Sequence, residues 1–223
     1  MNLYDIHTHS WQKNPQTGFN VINIINTTPA TYSAGATDTF CSCGIHPWDT
    51  AVSEKNFTIL EKIISDANVV AIGEAGLDNL RGGNIASQEN IFRRQIELAE
   101  KYEKPLIIHC VKAWDRLLSL HKEYSPVVPW IVHGFRGKPQ QAEQMIHSGM
   151  KLSFGEYYNL QTVSIIPSDS LFLETDTASV SIHAVYQSIA ETKKLSIQEL
   201  AKIVEQNVKR DILSHIGRSE CRC

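Results

Sequence analysis

Eight short runs of β-type residues recur through this 223-residue chain, and their rhythm constrains the fold more than any other feature. They are LYDIH (3–7), VINIIN (21–26), TFCSCGI (39–45), VVAIG (69–73), PLIIH (105–109), PWIVH (129–133), MKLSF (150–154) and SLFLET (170–175). Most are continuous apolar runs. Such strands need cover on both faces, which a parallel sheet gains from helices outside and a packed core within. Helical spacing appears between the later runs. In 87–103, Ile91, Phe92, Gln95, Ile96 and Ala99 share one face behind Ser87, a candidate N-cap. Residues 111–123, 138–148 and 181–194 follow the same pattern, and Ser196 with Glu199 forms a capping box ahead of a last helix. Gly149 stands where a helix stops before the seventh run. The segments 10–20 and 27–38 are rich in Gly, Pro, Asn and Thr and poor in helix formers. The pattern predicts an α/β fold, a (β/α)8 TIM barrel in a single domain, with the first two crossover helices shortened or missing. Residues 1–215 are assigned to the barrel and 216–223 to a C-terminal tail.

A formal charge of −3 excludes a global field for nucleic acid or an anionic membrane, so any attraction for a polyanion must be local or carried by metal. The apolar runs are too short to cross a bilayer. The D-x-H-x-H segment begins at Asp5, which leaves no room for a signal peptide, and the expected location is the cytoplasm. The five cysteines show no framework spacing and are expected to be reduced thiols.

In a barrel the C-terminal ends of the strands share one rim, where active sites are built. Here those ends carry Asp5, His7 and His9 on the first run, His46 after the third, Glu74 and Asp78 on the fourth, His109 on the fifth, His133 on the sixth, and Glu174 and Asp176 on the eighth. Side chains alternate along a strand, so His7 and His9 project to one side, as does Asp5, and Glu174 shares a face with Asp176. Each element alone has a plainer reading. A histidine ending a buried strand is often a satisfied polar group, and E-T-D after an apolar run is often a helix N-cap. Recurrence at strand after strand is what those readings do not predict. Several imidazoles with two or three carboxylates form a ligand set for divalent metal.

These residues lie in D-I-H-T-H (5–9), G-I-H-P (44–47), G-E-A-G-L-D (73–78), I-I-H-C (107–110), V-H-G-F-R-G (132–137) and L-E-T-D (173–176). In that order they resemble the motifs of the TatD-type metal-dependent deoxyribonucleases, amidohydrolase-like barrels, and ELAKIVEQNVKRDIL (199–213) resembles the family's closing segment. The resemblance implies two divalent ions (Zn, Mn or Mg): His7, His9 and Asp176 on one, His109 and His133 on the other, Glu74 bridging. It implies phosphodiester hydrolysis at DNA ends, with Asp176 taking a proton from water and Glu74 also in the catalytic set. His46 either donates a hydrogen bond to substrate phosphate or fixes the rim loop. Arg136 and Arg81, with Lys112 and Lys138, are further candidates for phosphate, or else solvated loop charges. Trp11 and Trp48 either stack on bases or roof the barrel. The chain departs from the family pattern after Asp176, where TASVSIHAVY runs almost directly into a helix, and in Val111-Lys112, where the family carries Arg-Asp. Those changes touch the groove that grips substrate, not the metal ligands. Two alternatives stay open: a metal-dependent amide, ester or lactone hydrolase, and a metal-binding interaction module that has lost catalysis. His121 and His147 are expected to face solvent, and His183 starts a helix within reach of the rim.

Overall fold

The computed structural model describes residues 1–11, 18–34 and 40–214. Its strands are β1 (Asn2–Thr8), β2 (Asn20–Thr27), β3 (Phe40–Cys43), β4 (Val69–Asp78), β5 (Leu106–Val111), β6 (Trp130–Val132), β7 (Lys151–Phe154) and β8 (Leu171–Leu173). All pair in parallel and in chain order. The ring is drawn shut beyond β8. Asp176 N–H donates to His7 O at 2.8 Å and His9 N–H to Asp176 O at 3.1 Å, so Thr8 and Asp176 form a parallel bridge. The backbone that completes the barrel is therefore that of three candidate ligands.

Helices α1 (Glu54–Ile64), α2 (Ile85–Lys101), α3 (Trp114–Tyr124), α4 (Pro139–His147) and α5 (Leu160–Ile165) fill the later crossovers, and α6 (Ile182–Lys193) and α7 (Ile197–Asp211) follow β8. No helix lies among the described residues of the first two crossovers, where segments 12–17 and 35–39 fall outside the description. Thr39 of the third predicted run and the tail 216–223 fall outside it as well. Each strand's inner face and each helix's apolar face feed one core that includes Trp130, Phe92, Phe135, Phe154 and Phe172, all fully buried or nearly so. A fully buried side chain of this kind contributes about 1.5–3 kcal/mol.

Four local expectations need correction. The N-cap of α2 is Asn84, whose side chain accepts from Ala86 N at 2.8 Å, and Ser87 lies inside the first turn. Helices α1 and α5 are absent from the pattern reading; α5 is a short, β-branched piece, whereas α1 buries Phe57, Leu60 and Ile64 behind a Ser53–Asn56 capping box. Strand β4 runs to Asp78, five residues beyond VVAIG. That extension depends on Gly76 (φ +144°): a Cβ there would stand 2.1 Å from His109 O, so only glycine lets β4 lie this close to β5. Finally, His121 is half-buried edge-on to Trp130, ring centroids 5.0 Å apart, rather than facing solvent.

Candidate metal centre

Glu74 sits at the middle of the mouth, 6 % exposed, and its position is over-determined from below. Its N–H donates to Asn26 Oδ1 on β2 at 2.9 Å, and the same oxygen accepts from Ser42 Oγ on β3. The rim beside it is held by α2. Gln95 bonds both backbone groups of Ile45, next to His46, at 2.8 and 3.0 Å. Gln88 accepts from Asp78 N and donates to Asp78 O and Arg81 O. These buried amides act as strand mimics, satisfying the backbone where the ladder ends.

The two oxygens of Glu74 face different groups. Oε2 lies 3.4 Å from His7 Nε2 and 3.6 Å from His9 Nε2. Oε1 lies 2.7 Å from His109 Nδ1, 2.8 Å from His133 Nε2 and 3.2 Å from His46 Nε2. Asp176 joins the first group, its Oδ1 being 3.4 Å from His9 Nε2 and 3.7 Å from His7 Nε2. Asp176 itself stands in the left-handed region (φ 52°), which Asp tolerates better than most residues.

The protonation pattern follows from these contacts. Burial would raise the pKa of Glu74, but the imidazoles of His133, His109 and His46 hold it well below the carboxylate range. Burial would likewise raise Asp176, and the His9 hydrogen bond with the charges of His133 and His7 lowers it. Asp176 and Glu74 in turn push His9 up to about 9. Burial opposes a charge on His133, yet Glu74 and Glu174 raise it above its ordinary value.

The donor set fits divalent metal. Both ring nitrogens of His7 are fully buried with no hydrogen-bond partner among the described residues. An unsatisfied buried polar group costs about 1–3 kcal/mol, and a metal ion would relieve it. Donors sharing a tetrahedral Zn²⁺ stand about 3.4 Å apart, close to the 3.4–3.7 Å separations among His7, His9, Glu74 and Asp176. Among the described residues, the groups whose donor atoms lie close enough together to surround one ion are His7–His9–Glu74, His7–His133–Asp176 and His46–Glu74–His109.

Two rim carboxylates outside the ligand set that the resemblance implies orient the histidines of the second group. Asp78 Oδ2 lies 3.2 Å from His109 Nε2, and Glu174 Oε1 lies 3.2 Å from His133 Nδ1 while accepting from Gly134 N at 2.8 Å. Metal-binding histidines characteristically lean on a carboxylate in this way. The signal was present in the sequence, in the four-residue step from Glu74 to Asp78 and in E-T-D, but nothing there says which histidine each would meet.

The remaining candidates separate. His46 Nδ1 accepts from Trp48 N at 3.1 Å, which places the proton of the neutral ring on Nε2, facing Glu74. That tautomer makes His46 a donor rather than a ligand. Asp5 turns to Thr175: Thr175 N and Oγ1 donate to its oxygens at 3.0 and 2.6 Å, and burial pushes the carboxyl up to about 7 against those bonds. Arg81 stacks over Trp48 (5.0 Å) and Arg136 over Tyr157 (5.3 Å), and Arg136 lines a cavity with Glu174 and Asp176. Trp11 is 59 % exposed. Lys138 is the N-cap of α4, and His183 packs on Phe19 with ring centroids 5.8 Å apart.

The chain is similar to known proteins. The family model described as TatD related DNase matches residues 10–212. An uncharacterized metal-dependent hydrolase, YabD, of Bacillus subtilis is 30% identical over 194 residues, 77% of this chain and 76% of that protein. The 3'-5' ssDNA/RNA exonuclease TatD of Cronobacter turicensis is 34% identical over 146 residues, 60% of this chain and 56% of that protein. Among solved structures, the TatD homolog YJJV of Escherichia coli K12 superposes with a TM-score of 0.81 at 23% identity, covering 94% of this chain and 97% of that one, which shows a common fold.

Proposed function

The chain belongs to the family of TatD-related DNases, and from that membership we propose that it is a dinuclear metal-dependent hydrolase cleaving phosphodiester bonds at DNA ends. The observation that carries the reading is the division of Glu74 between two histidine groups. In this reading His7, His9 and Asp176 would hold one ion, His109 and His133 would hold the other, and Glu74 would contribute to both. When bound, the ions lower the pKa of water and offset charge on the phosphoryl oxygens. Four imidazoles favour Zn²⁺ or Mn²⁺ over Mg²⁺.

The chain's own groups divide the remaining work. Asp176, whose Oδ1 lies 3.4 Å from His9 Nε2 and 3.7 Å from His7 Nε2, is placed to accept the proton that water loses on attack. The Nε2–H of His46 is directed at the centre and supplies a hydrogen bond to a phosphate oxygen that displaces its contact with Glu74. Asp78 and Glu174 keep the His109 and His133 rings in place.

Cys41, Cys43 and Cys110 are buried free thiols, which supports action in a reducing compartment such as the cytoplasm. No helix among the described residues is long and apolar enough to cross a membrane. The test is release of nucleotides from end-labelled single-stranded DNA by protein loaded with Zn²⁺ or Mn²⁺, beside a chelated sample and Asp176→Ala. Release that requires both metal and Asp176 supports the proposal. Metal-dependent hydrolysis of a carboxylic ester or lactone without any nucleotide release would overturn it.

A further inference from the structure

Two aromatic rings stand on the rim in positions that packing does not explain. Trp48 is 48 % exposed and Tyr157 is 62 % exposed, yet each is paired with a guanidinium, Arg81 and Arg136 respectively. Trp48 is also fixed: its Nε1–H donates at 2.7 Å to Asp78 Oδ2, the oxygen that meets His109 Nε2 at 3.2 Å. Its ring stands edge-on to His46, centroids 4.7 Å apart. Tyr157 walls a cavity of about 310 Å³ that also contains Arg136, Glu174 and Asp176.

Topology sets the two rings apart. Trp48 follows β3 and Tyr157 follows β7, strands four places apart in a ring of eight. They therefore face each other across the mouth, with Glu74 and the histidines between. Strand spacing and tilt make such a barrel roughly 15 Å across, more than one sugar–phosphate unit spans. On each side the chemistry is the same, a π-face to receive a base and a cation to meet the phosphate beside it.

We propose that Trp48 with Arg81 and Tyr157 with Arg136 form two nucleotide subsites that clamp a single strand across the metal centre, holding the phosphodiester bond between them over Glu74. This rests on the phosphodiesterase reading above and adds the residues that grip the strand, one nucleotide on each side of the scissile bond. A duplex keeps its bases stacked on each other, so neither ring reaches a base face without unpairing. The Asp78 link also makes Trp48 a positioning residue, because a base seated on its ring bears on the side chain that orients His109.

Binding tests the clamp independently of turnover. The probe is fluorescein-labelled oligo(dT) with phosphorothioate linkages, read by anisotropy on the full chain loaded with Zn²⁺ or Mn²⁺. Trp48→Ala and Tyr157→Ala should each weaken binding roughly 5- to 150-fold, the range of losing one stacked base. Trp48→Phe and Tyr157→Phe should retain most of the affinity, which separates loss of a stacking face from loss of fold. A blunt duplex of the same length should bind more weakly than the single strand. Alanine variants that bind within twofold of the unsubstituted protein, or a duplex that binds equally well, overturn the clamp. Binding through these rings with no cleavage of any nucleic acid would refute the proposed hydrolysis and leave the clamp standing.

Discussion

Thr175→Val tests whether a buried clamp beneath the metal centre holds the barrel shut. Thr175 is 1 % exposed, and its hydroxyl donates to Asp5 Oδ2 at 2.6 Å while meeting Thr8 Oγ1 at 3.0 Å. Asp5 and Thr8 are both fully buried on β1, whereas Thr175 lies just past β8 between Glu174 and Asp176. The contact therefore joins the two ends of the ring directly below His7 and Asp176. Valine keeps the shape and the N–H bond to Asp5 Oδ1 but removes the hydroxyl, leaving Asp5 Oδ2 without its donor. A hydrogen bond to a charged or strongly polar buried group is worth about 1.5–3 kcal/mol. With no cavity created, the expected destabilisation is about 2–3 kcal/mol, or a fall in Tm of about 4–12 °C for a chain of this size. Thermal and urea unfolding of chelated protein measures it, with Thr175→Ser as the variant that retains the hydroxyl. Because the clamp sets the separation of His7 from Asp176, metal affinity should also fall about 10- to 100-fold, as when a group supporting a ligand is lost. Asp5→Ala and the double variant complete a cycle. A coupling energy below about 0.5 kcal/mol between two residues in direct contact would refute the clamp.

Other consequences are as direct. Glu74→Gln keeps shape but loses charge, and should reduce bound metal and lower hydrolysis by more than the roughly 10- to 100-fold cost of losing a supporting partner; unchanged metal content by elemental analysis would remove Glu74 from the bridging position. The thiols of Cys41, Cys43 and Cys110, pushed by burial up to about 11, 12 and 12, should not react with a disulfide reagent at pH 8 until the protein unfolds. Rapid labelling of any of them in the native state, mapped by mass spectrometry, would contradict their burial. Lys104 donates to the carbonyls of Ile64, Asp66 and Val69, and burial lowers its pKa from 10.5 to about 8 against the charge of Asp66. The unfolded chain then binds more protons between those values, so the contribution of Lys104 to stability rises with pH across that window. The difference in unfolding free energy between the unsubstituted protein and Lys104→Met should grow from pH 8 to 10; a constant difference would show that the three carbonyls keep the ammonium at its ordinary pKa.

The residues that announce this protein do so because strands impose a simple order. Apolar runs such as VVAIG and PLIIH need cover on both sides, and period-two alternation makes His7 and His9 neighbours in space. Those constraints are local, so eight strands, their sequence and the ligand-type residues at their ends were legible without coordinates. The helix boundaries were less so: Asn84, the residue immediately before α2, takes the Ala86 amide two residues on and so displaces Ser87 as the cap. The corrections at the site are of another kind. That Asp5 serves Thr175, that Asp78 orients His109 and Glu174 orients His133, and that Trp48 N–H fixes the tautomer of His46 all depend on contacts between distant segments. The extension of β4 depends likewise on how closely Gly76 lies against His109 O. Sequence by itself determined which chemical groups reach the rim and in what order around it. Only the tertiary structure decided which oxygen of Glu74 meets which imidazole, because that depends on angstrom-scale separations set when Thr8 and Asp176 close the ring.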